Sequence, residues 1–338
     1  MNRTLRTLGL LFGVALLVWL VARADVVALF GVFPRIGWGF LLILAARAAT
    51  IAIDAAAWSC LLPAAERPPF RLMLALRWIA ESINTTLPAA QVGGDIVRAR
   101  LLQRRIAQAG YDRAARGAAS VAVDFALSLF AQILFTLLGF VLLAWLGNTA
   151  GWWWAAFSAM LVPAFALLAW ELLVRQRLLA AARRGAERLH QHRLAATLQA
   201  LAAALGLVAR SRVILALSLS LHVSSFLAHA LELWLTLWLM GAPTGLAEAT
   251  LLESLSLAAR SLAFLIPSGW GAQEASLVAL AGMAGLSPDA ALALGLVKRA
   301  REFAVGLPGL AAWLVAERRP PPHLPGGRPG ADVAVDLG

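Results

Sequence analysis

Long apolar runs alternate with short charged stretches along this chain. Six runs, near 5–23, 37–62, 117–146, 152–174, 212–240 and 288–316, are each close to the ~20 residues that an α-helix needs to cross a bilayer. The backbone must satisfy its own hydrogen bonds in hydrocarbon, so the runs predict helices, and the two-residue alternation of a membrane β-barrel is not visible. We therefore predict an all-α polytopic membrane protein with about six full spans.

Two further apolar stretches, near 71–110 and 248–285, are interrupted by proline and glycine in the strings NTTLPAAQVGGD and AFLIPSGWGAQE. Equivalent residues of the two stretches recur at nearly one separation. It is 179 positions for Pro88–Pro267 and Asp95–Glu274, and 178 positions for Asp124–Glu302, which begin the strings DFA and EFA. These matches predict an internal duplication.

The duplication predicts an inverted repeat with cores near 71–146 and 248–316. Three predicted spans separate the broken stretches, so the two copies enter the membrane from opposite faces. Each broken stretch is either a re-entrant hairpin or a pair of short spans, and in both cases it returns to its starting side. Such broken helices commonly meet at the substrate site of secondary transporters.

The charge distribution predicts an N-in/C-in orientation. The net charge of +11 would suggest nucleic acid in a soluble protein, but mean hydropathy is +0.78 and only 14% of residues are charged. The arginines concentrate near 3–6, 98–116, 175–212 and 318–319, whereas the stretches 147–151 and 241–247 contain no Lys or Arg. The positive-inside rule assigns the arginine-rich stretches to the cytoplasm, and we expect no nucleic-acid partner.

We predict one integral membrane domain over 1–317, followed by a Pro- and Gly-rich disordered cytoplasmic tail over 318–338. A cytoplasmic amphipathic segment over about 175–211 carries an apolar stripe, made by Leu194, Leu198, Leu201, Leu205 and Val208. Arg3 and Arg6 before an apolar run also resemble a cleaved signal peptide. An uncleaved first span agrees better with the charges that follow.

Ionisable residues inside the predicted spans are expensive to bury and are candidates for function. The string VKRAREF places Lys298, Arg299, Arg301 and Glu302 well inside the last span. They either hold an anionic headgroup or form a buried ion-pair network that fixes helix packing. The same alternatives apply to Arg47 with Asp54 and to Arg77 with Glu81, whereas His222 and His229 are expected to be ordinary hydrogen-bonded histidines.

The two breaks free backbone N–H groups at the start of a half-helix, and these groups attract anions such as a lipid phosphate. The alternative is that Asp95 and Glu274 cap their own half-helices. Cys60 is the only cysteine of the chain, which excludes a disulfide framework and a thiol metal site. We predict neither a metal nor a cofactor.

The strings LPAAQVGGDIVRARLL and IPSGWGAQEASLVALAGMAGLSPDAALALGLVKRAREF resemble the two signatures of the lysylphosphatidylglycerol-synthase transmembrane, or flippase-like, family. The strings GAQE and LVKRARE are most similar to its hopanoid-biosynthesis-associated subfamily. The resemblance implies a multi-pass protein of the bacterial inner membrane that moves or handles lipids. Only a short stretch follows the last predicted span, so we expect no aminoacyl-transfer domain and no lysyl-lipid synthesis.

We therefore predict a lipid translocator, with membrane lipids and lipid-biosynthesis enzymes as its expected partners. The alternatives are a non-catalytic scaffold of a lipid or hopanoid biosynthesis complex and an enzyme acting on lipid headgroups. The string PSGW resembles the PSGH of lipid phosphatases, but Trp270 replaces the histidine, so an enzyme is the weaker alternative. The predicted substrate-binding residues are Asn84, Pro88, Gly93, Gly94, Asp95, Arg98, Asp124, Pro267, Gly269, Gly271, Gln273, Glu274, Lys298, Arg299, Arg301 and Glu302.

Overall fold

The structure is a computed structural model that describes residues 26–87, 93–106, 111–146, 206, 211–262 and 271–318, with backbone alone at 26–30, 106, 111–115 and 262. Several predictions lie outside these residues. They are the spans near 5–23 and 152–174, nearly all of the amphipathic segment 175–211, the tail beyond 318, and the residues Pro88, Pro267 and Gly269.

Every regular element of the described residues is helical. The helices are α1 (Val26–Ile36), α2 (Phe40–Cys60), α3 (Phe70–Thr86), α4 (Gly93–Ile106), α5 (Tyr111–Leu146), α6 (Arg212–Leu239), α7 (Leu246–Leu262), α8 (Ala272–Leu280) and α9 (Pro288–Arg318). Short 3-10 helices, Gly37–Gly39 and Ala281–Ala284, precede α2 and follow α8.

Three described helices are long and apolar enough to cross a membrane: Gly31–Cys60, Arg116–Leu146 and Arg212–Leu239. They coincide with the spans predicted near 37–62, 117–146 and 212–240. The 31-residue helix α9 coincides with the span predicted near 288–316, but its buried charges make it less apolar. The chain is therefore an α-helical membrane protein.

Helix α1 occupies the stretch between the spans predicted near 5–23 and 37–62, where those bounds leave a connection. Its sequence, VVALFGVFPRI, is apolar apart from one arginine. Val32 and Ile36 are buried in a cluster with Leu292 and Val297 of α9. Burial of these side chains stabilises the helix.

Helices α2 and α6 run antiparallel and lie against each other. Arg47 contacts His229, and Asp54 contacts His222, so residue numbers rise along one helix as they fall along the other. The two helices end 179 positions apart, at Cys60 and Leu239. The repeat separation found in the sequence thus relates two helices of opposite direction.

Each broken stretch folds into two helices that return to the end of the bundle where the first of them began. In the first stretch, the Gly94 N–H donates to Asn84 Oδ1 across the break at 2.8 Å, and Met73 packs with Leu102 at the far end. In the second stretch, Thr244 Oγ1, just before α7, donates to the carbonyl oxygen of Ala284, just after α8, at 3.1 Å. Helices α3 and α4 have 17 and 14 residues, so they reach only about 25 and 21 Å.

The two stretches begin at opposite ends of the bundle. Helix α3 comes after the end of α2 in the chain, and α7 comes after the end of α6. Because α2 and α6 are antiparallel, these two ends lie on opposite sides of the bundle. Each stretch also packs on the long helix of the other half: α3 lies on α9, and α7 lies on α5. This exchange is what a two-fold relation between the halves produces.

Exposed tryptophans mark one end of the bundle. Trp38, Trp145 and Trp238 are 87%, 73% and 59% exposed. The first and last lie at the same end, because the neighbouring Gly39 and Leu239 are close: a Cβ at Gly39 would lie 2.7 Å from Leu239 Cδ2. Trp145 joins them because α5 ends beside the start of α7. Exposed tryptophan at one level of a helix bundle is typical of a membrane–water interface.

Arginines mark the opposite end of the bundle. There Arg100 is paired with Glu317 at 2.5 Å, and Arg116 with Glu66 at 2.6 Å. The first pair joins the end of α4 to the end of α9. The second joins the connection after α2 to the start of α5. Arg105, Arg212 and Arg318 lie at helix termini of the same end. The described residues therefore have the two-ended charge asymmetry that the sequence predicts.

Candidate functional site

A polar cavity of about 320 Å³ lies between the two halves. Both broken stretches reach it: the first contributes Asn84 and Asp95, and the second contributes Ser261 and Gln273. Helices α2, α5, α6 and α9 supply the remaining walls. The charged residues of its wall are Arg47, Asp54, Arg77, Glu81, Asp95, Glu253, Arg260, Lys298 and Arg301. The breaks of two separate stretches thus converge on one charged space inside an apolar bundle.

A first cluster of buried charges lies on one side of the cavity. It consists of Asp54, Arg77, Asp95, Arg98, Asp124 and His222. Arg98 Nη2 contacts Asp95 Oδ1 at 2.8 Å and Asp124 Oδ2 at 2.7 Å. Arg77 contacts Asp54 Oδ2 at 3.0 Å and lies 3.7 Å from Asp124 Oδ2. The Arg98 guanidinium also lies 4.7 Å above the ring of Trp58, so a cation–π contact adds to its ion pairs.

A second cluster lies on the other side of the cavity. It consists of Glu232, Glu253, Arg260, Glu274, Lys298, Arg299, Arg301 and Glu302. Arg299 Nε donates to Glu274 Oε1 at 2.6 Å, and Arg299 Nη1 donates to Glu302 Oε2 at 2.7 Å. Arg260 Nη1 donates to the other oxygen of Glu302 at 2.7 Å. Lys298 is paired with Glu253, and Arg301 with Glu232.

The two clusters share one arrangement, in which an arginine bridges two carboxylates at the junction of a break helix and a long helix. In the first cluster Arg98 bridges Asp95 and Asp124. In the second, Arg299 bridges the repeat-equivalent Glu274 and Glu302. The bridging arginines are not equivalent in sequence, because Arg98 belongs to the break helix α4 and Arg299 to the long helix α9.

The first residues of both break helices are bonded within the chain. The Gly94 N–H of α4 donates to Asn84, and the Gly271 N–H before α8 donates to Glu274 Oε2 at 2.8 Å. Glu274 therefore caps its own half-helix, as one sequence alternative proposed, whereas Asn84 rather than Asp95 accepts the Gly94 N–H. Asn84 Nδ2 in turn donates to Asp95 at 3.3 Å. An anion in the cavity must therefore be held by side chains rather than by these two N–H groups.

Two of these positions require glycine. A Cβ at Gly94 would overlap the Ala80 carbonyl oxygen and lie 2.8 Å from Ala80 Cα, because α4 crosses α3 at this point. Gly271 has φ of +78°, a backbone conformation that side chains disfavour. Glycine thus sets both the approach of α4 to α3 and the turn into α8.

The sequence suggested two ion pairs within single helices, Arg47 with Asp54 and Arg77 with Glu81, but in the structure these residues pair between helices. Arg77 contacts Asp54, and Glu81 is paired with Arg47. Since α2 and α3 lie side by side, each charge finds a partner across the interface at closer range than along its own helix. The prediction that the two histidines are hydrogen-bonded is confirmed, because Arg47 Nη1 lies 2.6 Å from His229 Nε2 and His222 contacts two carboxylates.

The model of the family described as Lysylphosphatidylglycerol synthase TM region matches residues 6–309. The chain belongs to this family. Its function is accordingly related to membrane lipids. Searches of curated proteins and of solved structures found no match.

In this member of the family, the predicted site residues fall into four sets. Asn84, Asp95, Gln273, Lys298 and Arg301 line the cavity. Others are buried behind the wall, in or beside the two clusters; they are Gly94, Arg98, Asp124, Gly271, Glu274, Arg299 and Glu302. Gly93 begins α4 and is half-buried, and the remaining three residues lie outside the described part of the chain.

Sequence reasoning missed two carboxylates, Glu232 and Glu253, which are 3% and 6% exposed. Glu232 carries a signal that could have found it, because it stands 178 positions after Asp54, the separation that also relates Asp124 to Glu302. Glu253 has no acidic counterpart at that separation. Its importance becomes visible only when Lys298 is found beside it.

A second space of about 320 Å³ opens on the apolar face of α2 and α6 of this lipid-related protein. Its wall contains Ala46, Ala49, Leu231 and Leu235, and Glu232 is its charged residue. Glu232 is paired with Arg301, which lines the polar cavity. The Arg301–Glu232 pair therefore has one member in the wall of the polar cavity and the other in the wall of an outward-facing apolar cleft.

Proposed function

We propose that this chain is a lipid translocator of the bacterial inner membrane, with the polar cavity as its headgroup site. The observation that carries the proposal is the convergence of both broken stretches on a charged cavity within a membrane helix bundle. Its volume of about 320 Å³ is within the ~300–1,000 Å³ range of ligand pockets. Intramembrane charges are rare and commonly mark substrate paths.

The charges of the cavity wall favour a headgroup with a phosphodiester. Five cations face it (Arg47, Arg77, Arg260, Lys298 and Arg301), against four carboxylates (Asp54, Glu81, Asp95 and Glu253). Each of these cations is paired with a carboxylate, so a phosphodiester would bind by taking the place of a carboxylate at one of them. The carboxylates can accept hydrogen bonds from hydroxyl or amino groups of the same headgroup. A link to hopanoid lipids rests on the motif resemblance alone.

The outward-facing apolar cleft offers a place for an acyl chain. It lies next to the polar cavity across the Arg301–Glu232 pair. A lipid with its headgroup in the cavity would keep its tail in hydrocarbon through this cleft, so no acyl chain has to cross the charged wall. We infer that opening of this pair accompanies entry of the lipid.

The paired hairpins support alternating access within an inverted repeat. They begin at opposite ends of the bundle and meet at one cavity, so movement of one hairpin would open the cavity to one end only. We propose that the arginine-rich end faces the cytoplasm, in accordance with the positive-inside rule. The six-span N-in/C-in topology and re-entrant hairpins are part of this proposal.

We also propose that the chain forms and breaks no covalent bond. Thr85 and Ser225, two hydroxyl side chains of the cavity wall, donate to backbone carbonyl oxygens of Glu81 and Thr50 rather than to a general base. The charged groups of both clusters are engaged with one another. This arrangement suits reversible binding better than nucleophilic attack.

Purified protein in liposomes with acyl-labelled fluorescent phosphatidylglycerol tests the function, with chemical quenching of the outer leaflet as the readout. We expect faster exchange between leaflets than in protein-free vesicles. Arg47→Gln, which removes a cation of the wall, should slow exchange at least several-fold. Arg100→Gln serves as the matched control because Arg100 is half-exposed at the bundle end. If the folded protein moves no labelled lipid, a scaffold role replaces translocation.

A further inference from the structure

His222 lies between two carboxylates in a site that excludes solvent. Its Nε2 is 2.9 Å from Asp124 Oδ1, and its Nδ1 is 3.2 Å from Asp54 Oδ1. His222 and Asp124 are both fully buried, whereas Asp54 is 9% exposed and lines the polar cavity. A chain of three titratable groups thus leads from the cavity wall into the bundle.

A neutral imidazole between two ionised carboxylates does not satisfy this geometry, and one additional proton is required. An ionised carboxylate only accepts hydrogen bonds, and a neutral imidazole donates from one nitrogen alone. With two carboxylates facing its two nitrogens, a neutral ring would direct a lone pair at one negatively charged oxygen. An imidazolium donates to both carboxylates and removes this repulsion.

The balance of buried charge calls for the same proton. The second cluster contains four carboxylates and four cations, and Arg47 and Glu81 form a further balanced pair. Among the described residues, the first cluster contains three carboxylates, of Asp54, Asp95 and Asp124, and two guanidinium groups, of Arg77 and Arg98. Uncompensated buried charge is strongly destabilising, and one positive charge on His222 would neutralise the first cluster.

No other described charge takes this place. Helix α6 packs on α2, α5 and α7. Helices α2 and α5 direct Asp54 and Asp124 at His222, and Arg77 of α3 and Arg98 of α4 reach the same two carboxylates. On α7, Glu253 is paired with Lys298 and Arg260 with Glu302, while on α6 itself Glu232 is paired with Arg301 and His229 contacts Arg47.

We propose that Asp54, His222 and Asp124 form a proton-binding site, with the proton held on the His222 ring and exchanged with the cavity through Asp54. The proton passes from the imidazolium nitrogen to Asp54 and then to water in the cavity, leaving a neutral ring and the first cluster with one negative charge. Its release would favour rearrangement of α2 against α6. Coupling of this step to lipid movement rests on the proposed translocator function.

The nitrogen NMR spectrum of isotope-labelled histidine tests the bound proton without any transport. Replacing His190, His192, His229 and His323 by Gln leaves His222 as the single histidine. We expect the spectrum of an imidazolium, with a proton on each ring nitrogen, at neutral pH and above it, where free histidine is already neutral. A neutral ring at neutral pH, with one protonated and one bare nitrogen, would overturn the proposal.

A charge-balance experiment provides a second test through thermal unfolding in detergent. His222→Gln leaves the first cluster one positive charge short and should lower the midpoint markedly. Asp54→Asn balances the cluster without a protonated histidine. Adding Asp54→Asn to His222→Gln should therefore raise the midpoint again, although it removes a second buried contact. A double variant less stable than His222→Gln would contradict the charge argument.

Liposomes with an imposed pH gradient test the coupling. Lipid exchange by the native chain should depend on the direction of the gradient, and this dependence should be lost in Asp54→Asn/His222→Gln. Exchange that ignores the gradient in the native chain refutes coupling, while the NMR result still decides the proton site. Absence of all exchange refutes the translocator function and leaves the imidazolium as a structural charge.

Discussion

The pair of Lys298 and Glu253 permits a clean separation of stability from function. The two side chains are each 7% exposed, and the Lys298 ammonium contacts Glu253 Oε2. Both residues line the polar cavity. Glu253→Met leaves the ammonium without this carboxylate inside an apolar bundle, and Lys298→Met leaves the carboxylate without the ammonium. Each single change should lower the free energy of unfolding by about 3–5 kcal/mol, the usual loss when one member of a buried ion pair is removed.

The double change Glu253→Met/Lys298→Met removes both charges together and fills the space with side chains of similar length. Replacement of a whole buried pair by apolar residues is commonly neutral or stabilising, so the double variant should lie within about 1 kcal/mol of the native chain. The coupling energy of the cycle is then several kcal/mol. Glu317→Gln is the exposed control, because its partner Arg100 is 49% exposed, and we expect a loss of about 0–1 kcal/mol.

Unfolding in mixed detergent and SDS micelles measures the four stabilities, and liposome exchange of labelled phosphatidylglycerol measures function. We expect the double variant to recover stability but not lipid exchange, because the cavity has lost two of its charged groups. Single variants that lose less than about 1 kcal/mol would refute burial of the pair. Native exchange rates in the double variant would show that this pair is structural and that the headgroup is held elsewhere.

Three further predictions follow from the packing and from the two ends of the bundle. Gly94→Ala should destabilise the protein by about 1–3 kcal/mol in thermal unfolding, because the new methyl group would overlap the Ala80 carbonyl oxygen. Gly31→Ala is the control and should be tolerated, since no heavy atom lies within 4 Å of a Cβ at that position. Ala49→Trp should fill the apolar cleft and slow lipid exchange without a change in melting temperature. An unchanged exchange rate in this variant would show that the cleft takes no acyl chain. In a Cys60→Ser background, a membrane-impermeant thiol reagent added outside cells should label Pro243→Cys and not Arg105→Cys; the reverse pattern would invert the proposed orientation.

Much of the backbone arrangement could be predicted from the sequence because it depends on local properties. Apolar runs of sufficient length predict α2, α5 and α6, and proline with glycine predicts the interruption between α3 and α4. The first residues of α4 and α8, Gly93 and Ala272, are 179 positions apart, which is the repeat separation read from the sequence. Helix α1 was missed, because a short apolar stretch can be a helix or a connection until α9 is placed beside it.

The pairing of charges could not be predicted in the same way. Spacing along one helix suggests that Arg77 pairs with Glu81, but the packing of neighbouring helices determines which charged side chains come into contact. Arg77 contacts Asp54, 23 residues away, and Arg301 is paired with Glu232, 69 residues away. A charge inside a bundle takes the partner that the helix crossing brings closest, and the crossing depends on the packing of all its neighbours.

The difference between the two halves has a consequence for any mechanism based on their exchange. In an inverted repeat, the two access states are formed by halves that trade conformations, so identical halves would make the two states equal in energy. Here the halves share three carboxylate positions, Asp54 with Glu232, Asp95 with Glu274 and Asp124 with Glu302, but they differ in the origin of the bridging arginine. Glu81 stands where the second half has Arg260, 179 positions later. The second cluster is balanced by its own residues, whereas the first needs one additional positive charge. If a proton supplies that charge, its binding and release shift the balance between the two states, and a proton gradient could then give the exchange of lipid a direction.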